Sequence, residues 1–367
     1  MKKSFILCII ATSIFCACSK KNITIEWDQS SLKFVTAGGY ARVHDIGDGE
    51  FALVYERASS AWIRRSNDKC QTWSEEKLVA RAEGYNYANS EILRLNSGRL
   101  LYMWNARPRV DSLPYKIMVA ISDDDGKSWK EKTLYTASTK FQDGCWEPVA
   151  MQLPDGEIQL YFANEFPYKS SSEQEISMMR SKDNAESWSE AEKISFSANS
   201  RDGMPVPIYL PHSKEIAVAI EDNGIRGRFK PVIVRSANNW NDAPVLRSDR
   251  RREEALTPDS KVHDTVYAGA PYLIRLGKDH TLLSVQSTEC RSGTNERKAN
   301  MQVYVGDRDA RNFSNRSTPM PSLPQNGNAL WNSLCQIDDQ SVIAIMSVGG
   351  VKQGGIWSVT GKIKEIE

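Results

Sequence analysis

Apolar residues along this chain come in short runs of five to eight, each bounded by Gly, Asn, Asp or Pro. EFALVYE, RLLYMWN, EIQLYFAN, EIAVAIE, HTLLSVQ and SVIAIMS are representative. Runs this short, rich in β-branched and aromatic residues and punctuated by turn formers, predict strands. No long stretch repeats apolar residues at helical spacing. Several runs occur in pairs across a turn, as in LRLNSGRLLYMW, MQLPDGEIQLYF and IRLGKDHTLLSV. The reading is an all-β chain of hairpins.

A second pattern sets the length of the repeating unit. Ser66–Trp73 reads SNDKCQTW, Ser122–Trp129 reads SDDDGKSW and Ser181–Trp188 reads SKDNAESW. Their first serines lie 56 and 59 residues apart, and a degenerate copy, SANNW, begins at Ser236. Asp or Asn followed by Gly suits a tight turn, the Ser and Asp side chains can bond the turn backbone, and a Trp can anchor it. Cys70 and Ala185 stand where the middle copy has glycine. These boxes predict scaffold, not chemistry. A fixed period of about 57 residues, each unit a sheet of about four antiparallel strands, predicts a radial array that protects its strand edges. The expected fold is a six-bladed β-propeller, with five blades as the alternative.

The N-terminus changes the picture of the compartment. Lys2 and Lys3 precede a mostly apolar stretch, Ser4 to Ala17, too short for a bilayer span. It ends Phe15-Cys16-Ala17-Cys18, which resembles a bacterial lipobox. The expectation is a signal peptide over 1–17, cleaved before a lipidated Cys18, with an ordinary secretory signal as the alternative. Residues 18–30 are then read as a tether and 31–367 as one propeller domain. Such a protein is exported to the periplasm or cell surface and meets the membrane only through its lipid.

Composition excludes more than it suggests. The formal net charge of +1 gives no case for nucleic acid. The one basic run, Arg250-Arg251-Arg252, is followed by Glu253 and Glu254 and reads as a solvated loop. Beyond Cys18 only Cys70, Cys145, Cys290 and Cys335 remain, without metal spacing and with any pairing open, and there are four histidines. No metal, no cofactor and a monomeric state are expected.

Six polar and aromatic clusters precede the paired runs: Gly38–Arg42, Tyr85–Glu91, Cys145–Pro148, Arg201–Pro205, Tyr267–Tyr272 and Asn328–Asn332. One per blade, they should line one mouth of the central channel. Aromatics, amides, guanidinium groups and carboxylates are what a sugar site uses.

The boxes resemble those of the sialidase-type propeller superfamily. The clusters are more similar to glycoside hydrolase family 93, the exo-α-1,5-L-arabinanases, through GGYARV, NYANSEILRLNSGRLL, WEPVAMQLPDGEIQLYFANE, RDGMPVPIYL with AIEDN, YAGAPYLIRL with LLSVQSTE, and LWNSL. These phrases run in order over most of the chain. The resemblance implies an exo-acting retaining hydrolase of plant or host glycans, with two carboxylates about 5–5.5 Å apart. They map onto Glu147, taken as acid/base, and Glu221, taken as nucleophile, with Glu165 as the rival. Arg42, Tyr87, Asn89, Glu91, Glu165, Arg201, Tyr267, Gln286 and Trp331 are the expected substrate contacts, and Tyr40 a further aromatic. Two alternatives stay open. An exo-α-sialidase would need three arginines, for which Arg42, Arg201 and Arg275 are available, and a Tyr–Glu pair such as one with Tyr267. A non-catalytic glycan-binding propeller would show the aromatics without a close carboxylate pair.

Overall fold

A computed structural model describes residues 22–366, so the expected signal peptide and Cys18 lie outside the described residues. Among the described residues, six four-stranded antiparallel blades follow one another in sequence order, the sixth completed by N-terminal strand residues, and helix is confined to five three-residue 3₁₀ turns. Each blade begins with its innermost strand: Gly39–Asp45, Tyr85–Arg94, Cys145–Gln152, Asp202–Leu210, Ala268–Leu276 and Asn328–Asp338. Those strands contact one another in a closed ring around the channel.

The second strands, such as Ile158–Asn164 and Glu215–Asp222, lie between neighbouring blades and are apolar on both faces. This explains the continuous apolar runs of the sequence. All six expected clusters fall at the start of innermost strands.

The expected tether is corrected. Asn22–Trp27 is the outermost strand of blade six, antiparallel to Gly355–Ile366 with Ile25 opposite Ile363. Ile23 and Ile25 alternate with polar residues and are buried against that blade. The domain therefore includes Asn22–Trp27, and both ends of the described chain meet in one sheet, which closes the ring.

The boxes close the third strands at the end of the propeller away from the clusters. In each, the Ser hydroxyl accepts the N–H four residues on: Cys70 and Ala185 at 3.0 Å, Gly126 and Trp240 at 2.7 Å. Trp240 thus occupies the glycine position of its box rather than the anchor position, and its indole N–H donates to the Tyr161 hydroxyl at 2.8 Å. A fifth turn of this kind carries Asp307 in place of serine, its carboxylate accepting the Arg311 N–H at 3.1 Å. The four cysteines within the described residues are free.

The basic run is also corrected. Arg252 is buried and binds Asp202 and Asp222 at 2.5 and 2.6 Å, so it belongs to the core of blade four and not to a solvated loop. Two aspartates distant in sequence neutralise it, which the local charge pattern could not reveal.

Candidate active site

Every innermost strand carries a β-bulge just after its first residues, and each bulge holds a non-glycine residue in the left-handed region: Tyr40, Asn89, Glu147, Met204, Ala270 and Trp331, with φ from 46° to 58°. Such backbone is strained and needs fixed partners. The partner is a polar residue near the end of a second strand. Ser347 accepts the Tyr40 N–H at 2.8 Å, Glu56 that of Asn89 at 2.9 Å, Glu221 that of Ala270 at 2.7 Å and Gln286 that of Trp331 at 2.8 Å. In each case the acceptor lies one blade before its donor. Bulging turns consecutive side chains toward the channel mouth.

The pattern breaks on both sides of Glu147. Asn105, the equivalent residue of blade two, donates instead to the Cys145 carbonyl at 2.6 Å. Blade three carries Ala163 at that position, and Met204 N–H is taken by the Glu147 carboxylate at 3.1 Å. Glu221, paired in register with Gly203, borders the same bulge. A side chain at 269 would clash with Glu221, and one at 203 would press against it. A Cβ on Gly269 would stand 2.5 Å from Glu221 Oε2 and 2.6 Å from the Tyr267 hydroxyl, and one on Gly203 would stand 3.2 Å from Glu221 Oε1.

Around this pair lies a cavity of about 320 Å³, lined by Glu56, Glu147, Glu165, Glu221, Asn89, Gln174, Arg107, Arg201 and the aromatics Tyr40, Phe141, Trp146, Phe229 and Trp331. Burial raises all four carboxyl pKa values. Glu221 is pushed up to about 8, first by burial and then by the charge of Glu147. Glu147 is raised by burial too, but the Arg107 guanidinium opposes this most strongly, followed by the Met204 N–H. Arg107 is held by Asn89 and by Asn105 at 2.8 Å and lies 5.1 Å over the Trp146 ring. Arg201 pairs with Glu165. Phe141 and Trp331 are exposed at the rim, 62% and 42%, as large apolar faces open to a ligand.

Of the residues anticipated from sequence, Glu147, Glu221, Asn89, Glu165, Arg201, Trp331 and Tyr40 line the cavity. Four others do not. Tyr87 is buried in blade two, its ring 5.0 Å from Trp104. Gln286 and Tyr267 are bonded to each other at 2.7 Å behind the wall, Tyr267 beside Glu221. The last two form one cluster. Arg42 lies beneath the floor, sandwiched between Tyr40 at 4.1 Å and Tyr272 at 4.9 Å and donating to the Trp331 and Asn332 carbonyls at 2.9 and 3.2 Å. Glu91 is buried with it and with His44. Arg275 lines a separate cavity at the far end of the channel. Glu56 and Arg107 were not anticipated. Glu56 ends VYE as Glu221 ends AIE, and that shared position was the available signal. Among the described residues, no group of His, Cys, Asp and Glu is arranged to hold a metal ion.

Residues 98–211 match the BNR repeat-like domain. No curated protein matches the sequence. Among solved structures, the GH93 alpha-L-arabinofuranosidase of Fusarium graminearum in complex with arabinobiose aligns with 95% of this chain and 98% of its own, at a TM-score of 0.65 and 17% identity. The alpha-L-arabinanase of Penicillium chrysogenum complexed with arabinobiose covers 94% and 98%, at 0.63 and 15%. The NanB sialidase of Streptococcus pneumoniae covers 92% of this chain and 71% of its own, at 0.62 and 10%. The chain has the sialidase-like six-bladed propeller fold that these proteins share.

Proposed function

We propose that this protein is an exo-acting retaining glycoside hydrolase of arabinanase type, with Glu147 and Glu221 as its carboxylate pair. The observation that carries the reading is that two glutamates from adjacent blades border one bulge at the floor of a single cavity. Glu147 binds its Met204 N–H, and Glu221 pairs with its Gly203 and feels the Glu147 charge. Two carboxyls so coupled do not ionise together near neutral pH, which supplies one acid and one anion at the same site.

The proton belongs on Glu221, because Arg107 favours the Glu147 anion. Electrostatics thus favours the reverse of the order expected from sequence. Glu147 attacks the anomeric carbon while Glu221 protonates the leaving oxygen, and Glu221 then takes a proton from the water that releases the sugar. The Phe141 and Trp331 faces suit the C–H surface of a sugar chain.

A neutral sugar fits better than an acidic one. Four carboxyls face two arginines in the cavity, and both guanidiniums already have partners. Arg42 and Arg275 lie outside it, so the arginines named for a sialidase do not gather there. The test is release of arabinose from linear α-1,5-arabinan oligosaccharides, set beside a sialyl substrate. Arabinose release is expected. Sialic acid release would replace the reading with a sialidase, and binding without turnover would replace it with a glycan-binding propeller.

The pH profile carries its own prediction. Activity requires protonated Glu221, so kcat/KM should fall as pH rises through about 8, while the acid limb follows ionisation of Glu147. A basic limb that survives unchanged in Glu221→Gln would sink the assignment.

The N-terminal sequence supports export as a lipoprotein. Labelled palmitate should enter the protein in a bacterial host, and Cys18→Ser should abolish it.

A further inference from the structure

We propose that Ala163 is a positioning residue: because it lacks a polar side chain, the Met204 N–H is left for Glu147, which fixes that carboxylate against the bulge that Glu221 also borders. The inference rests on the proposed role of Glu147.

The argument comes from the sixfold repeat of the fold. A residue near the end of each second strand pairs with the residue just before the left-handed one of its own blade: Glu56 with Gly39, Asn105 with Ala88, Ala163 with Trp146, Glu221 with Gly203, Gln286 with Gly269 and Ser347 with Leu330. From four of these six positions the side chain reaches the bulge N–H of the next blade. A carboxylate, an amide and a hydroxyl all serve, so the position demands only an acceptor. Alanine at 163 removes the acceptor and is itself fully buried. The Met204 N–H of blade four would then stand unpaired at a strained bulge, which costs free energy. The chain satisfies it with Glu147, from the innermost strand of blade three, at 3.1 Å.

Two consequences follow. Backbone holds the Glu147 carboxylate, so its place relative to Glu221 is set by one bulge rather than by free side-chain rotamers. The N–H also favours the anion over the acid. The other groups acting on the Glu147 charge are Arg107 from blade two, Arg201 at the start of blade four, Glu165 after the second strand of blade three, Glu221 from blade four, Tyr40 from blade one and Tyr267 before blade five. A change at 163 replaces none of these groups.

The test is a carbon-13 NMR titration of glutamate carboxyl groups, with the Glu147 signal assigned by its loss in Glu147→Gln. Ala163→Ser supplies a hydroxyl like that of Ser347, and Ala163→Gly alters the site without an acceptor. The Glu147 midpoint is expected to rise by about 0.5–1 pH unit in Ala163→Ser and to stay in place in Ala163→Gly. In turnover the acid limb should move with it, with kcat down about tenfold and KM within about twofold. In the unsubstituted protein the Met204 amide proton should titrate with the Glu147 midpoint, a reading that needs no variant at 163. A Met204 amide indifferent to Glu147, or an unmoved midpoint in folded Ala163→Ser, overturns the proposal. Because the titration needs no substrate, a protein that hydrolyses no glycan would defeat the functional reading and still return an answer on Ala163.

Discussion

Glu147→Gln should lower kcat by roughly a thousandfold or more, and Glu221→Gln by roughly a hundred- to ten-thousandfold, with the fold retained in both. Gln286 already caps a bulge N–H through its amide oxygen at 2.8 Å, in the position that Glu221 occupies one blade earlier. Glutamine at 221 therefore keeps the scaffold role and removes only the ionisable group. The two variants should part on leaving-group ability. A glycoside whose leaving group needs no proton should restore much of the Glu221→Gln rate and none of the Glu147→Gln rate. Stability gives an independent sign. The Glu221 carboxyl is pushed up to about 8 in the fold from an ordinary value near 4.5, so between those values the folded state holds more protons than the unfolded chain. Its contribution is complete below about pH 4.5 and is lost as pH rises toward 8. Glu221→Gln should accordingly melt higher than the unsubstituted protein at pH 8 and show little gain at pH 4. More than a tenth of the activity surviving in either variant would remove the pair from the chemistry.

How much of this was legible before the structure differs by residue. The blades were, because each apolar run is a strand buried on both faces and each turn carries Gly, Asn or Asp. Glu147 was legible as a carboxylate between Trp146 and Pro148 at a blade entry and Glu221 as one that ends an apolar strand, and the family resemblance singled them out. Glu56 shares that position in VYE but was not singled out, because the equivalence shows only once the strands are superposed by their bulges. Arg42 and Glu91 sit in a cluster with the right chemistry, yet the bulge turns them under the floor, where Arg42 meets carbonyls and two tyrosine rings. Alternation along a strand tells inside from outside and not depth along a channel. The tether at residues 22–27 was misread for a related reason: the alternation NITIEW is that of a strand, but its partner lies at the opposite end of the sequence. Ala163 carries no signal at all, since what it contributes is an absent acceptor.

The largest effect on stability is expected at Arg252. Its guanidinium donates to Asp202 at 2.5 and 2.9 Å, to Asp222 at 2.6 Å and to Ser195 at 2.9 Å, with its side chain 2% exposed and both carboxylates fully buried. Arg252→Met leaves two buried carboxyls without a cation, and breaking a buried pair in this way costs about 3–5 kcal/mol. In a chain of this size that is a fall in Tm on the order of 5–10 °C. The loss should depend on pH with a definite sign. Burial already raises Asp202, and without the guanidinium it must bind a proton in order to stay buried. The variant should therefore lose stability as pH rises above the ordinary aspartate range and regain part of it in acid. Adding Asp202→Asn and Asp222→Asn to Arg252→Met should recover much of the loss, because the unpaired charge is then gone. The clamp also reaches the site, since Asp202 lies two residues before Met204 and Asp222 directly follows Glu221. A folded Arg252→Met should thus show reduced kcat even well below its melting temperature. Urea denaturation of the three proteins from pH 4 to 8 decides the matter: an Arg252→Met variant within 1 kcal/mol of the parent across that range would mean the clamp contributes nothing.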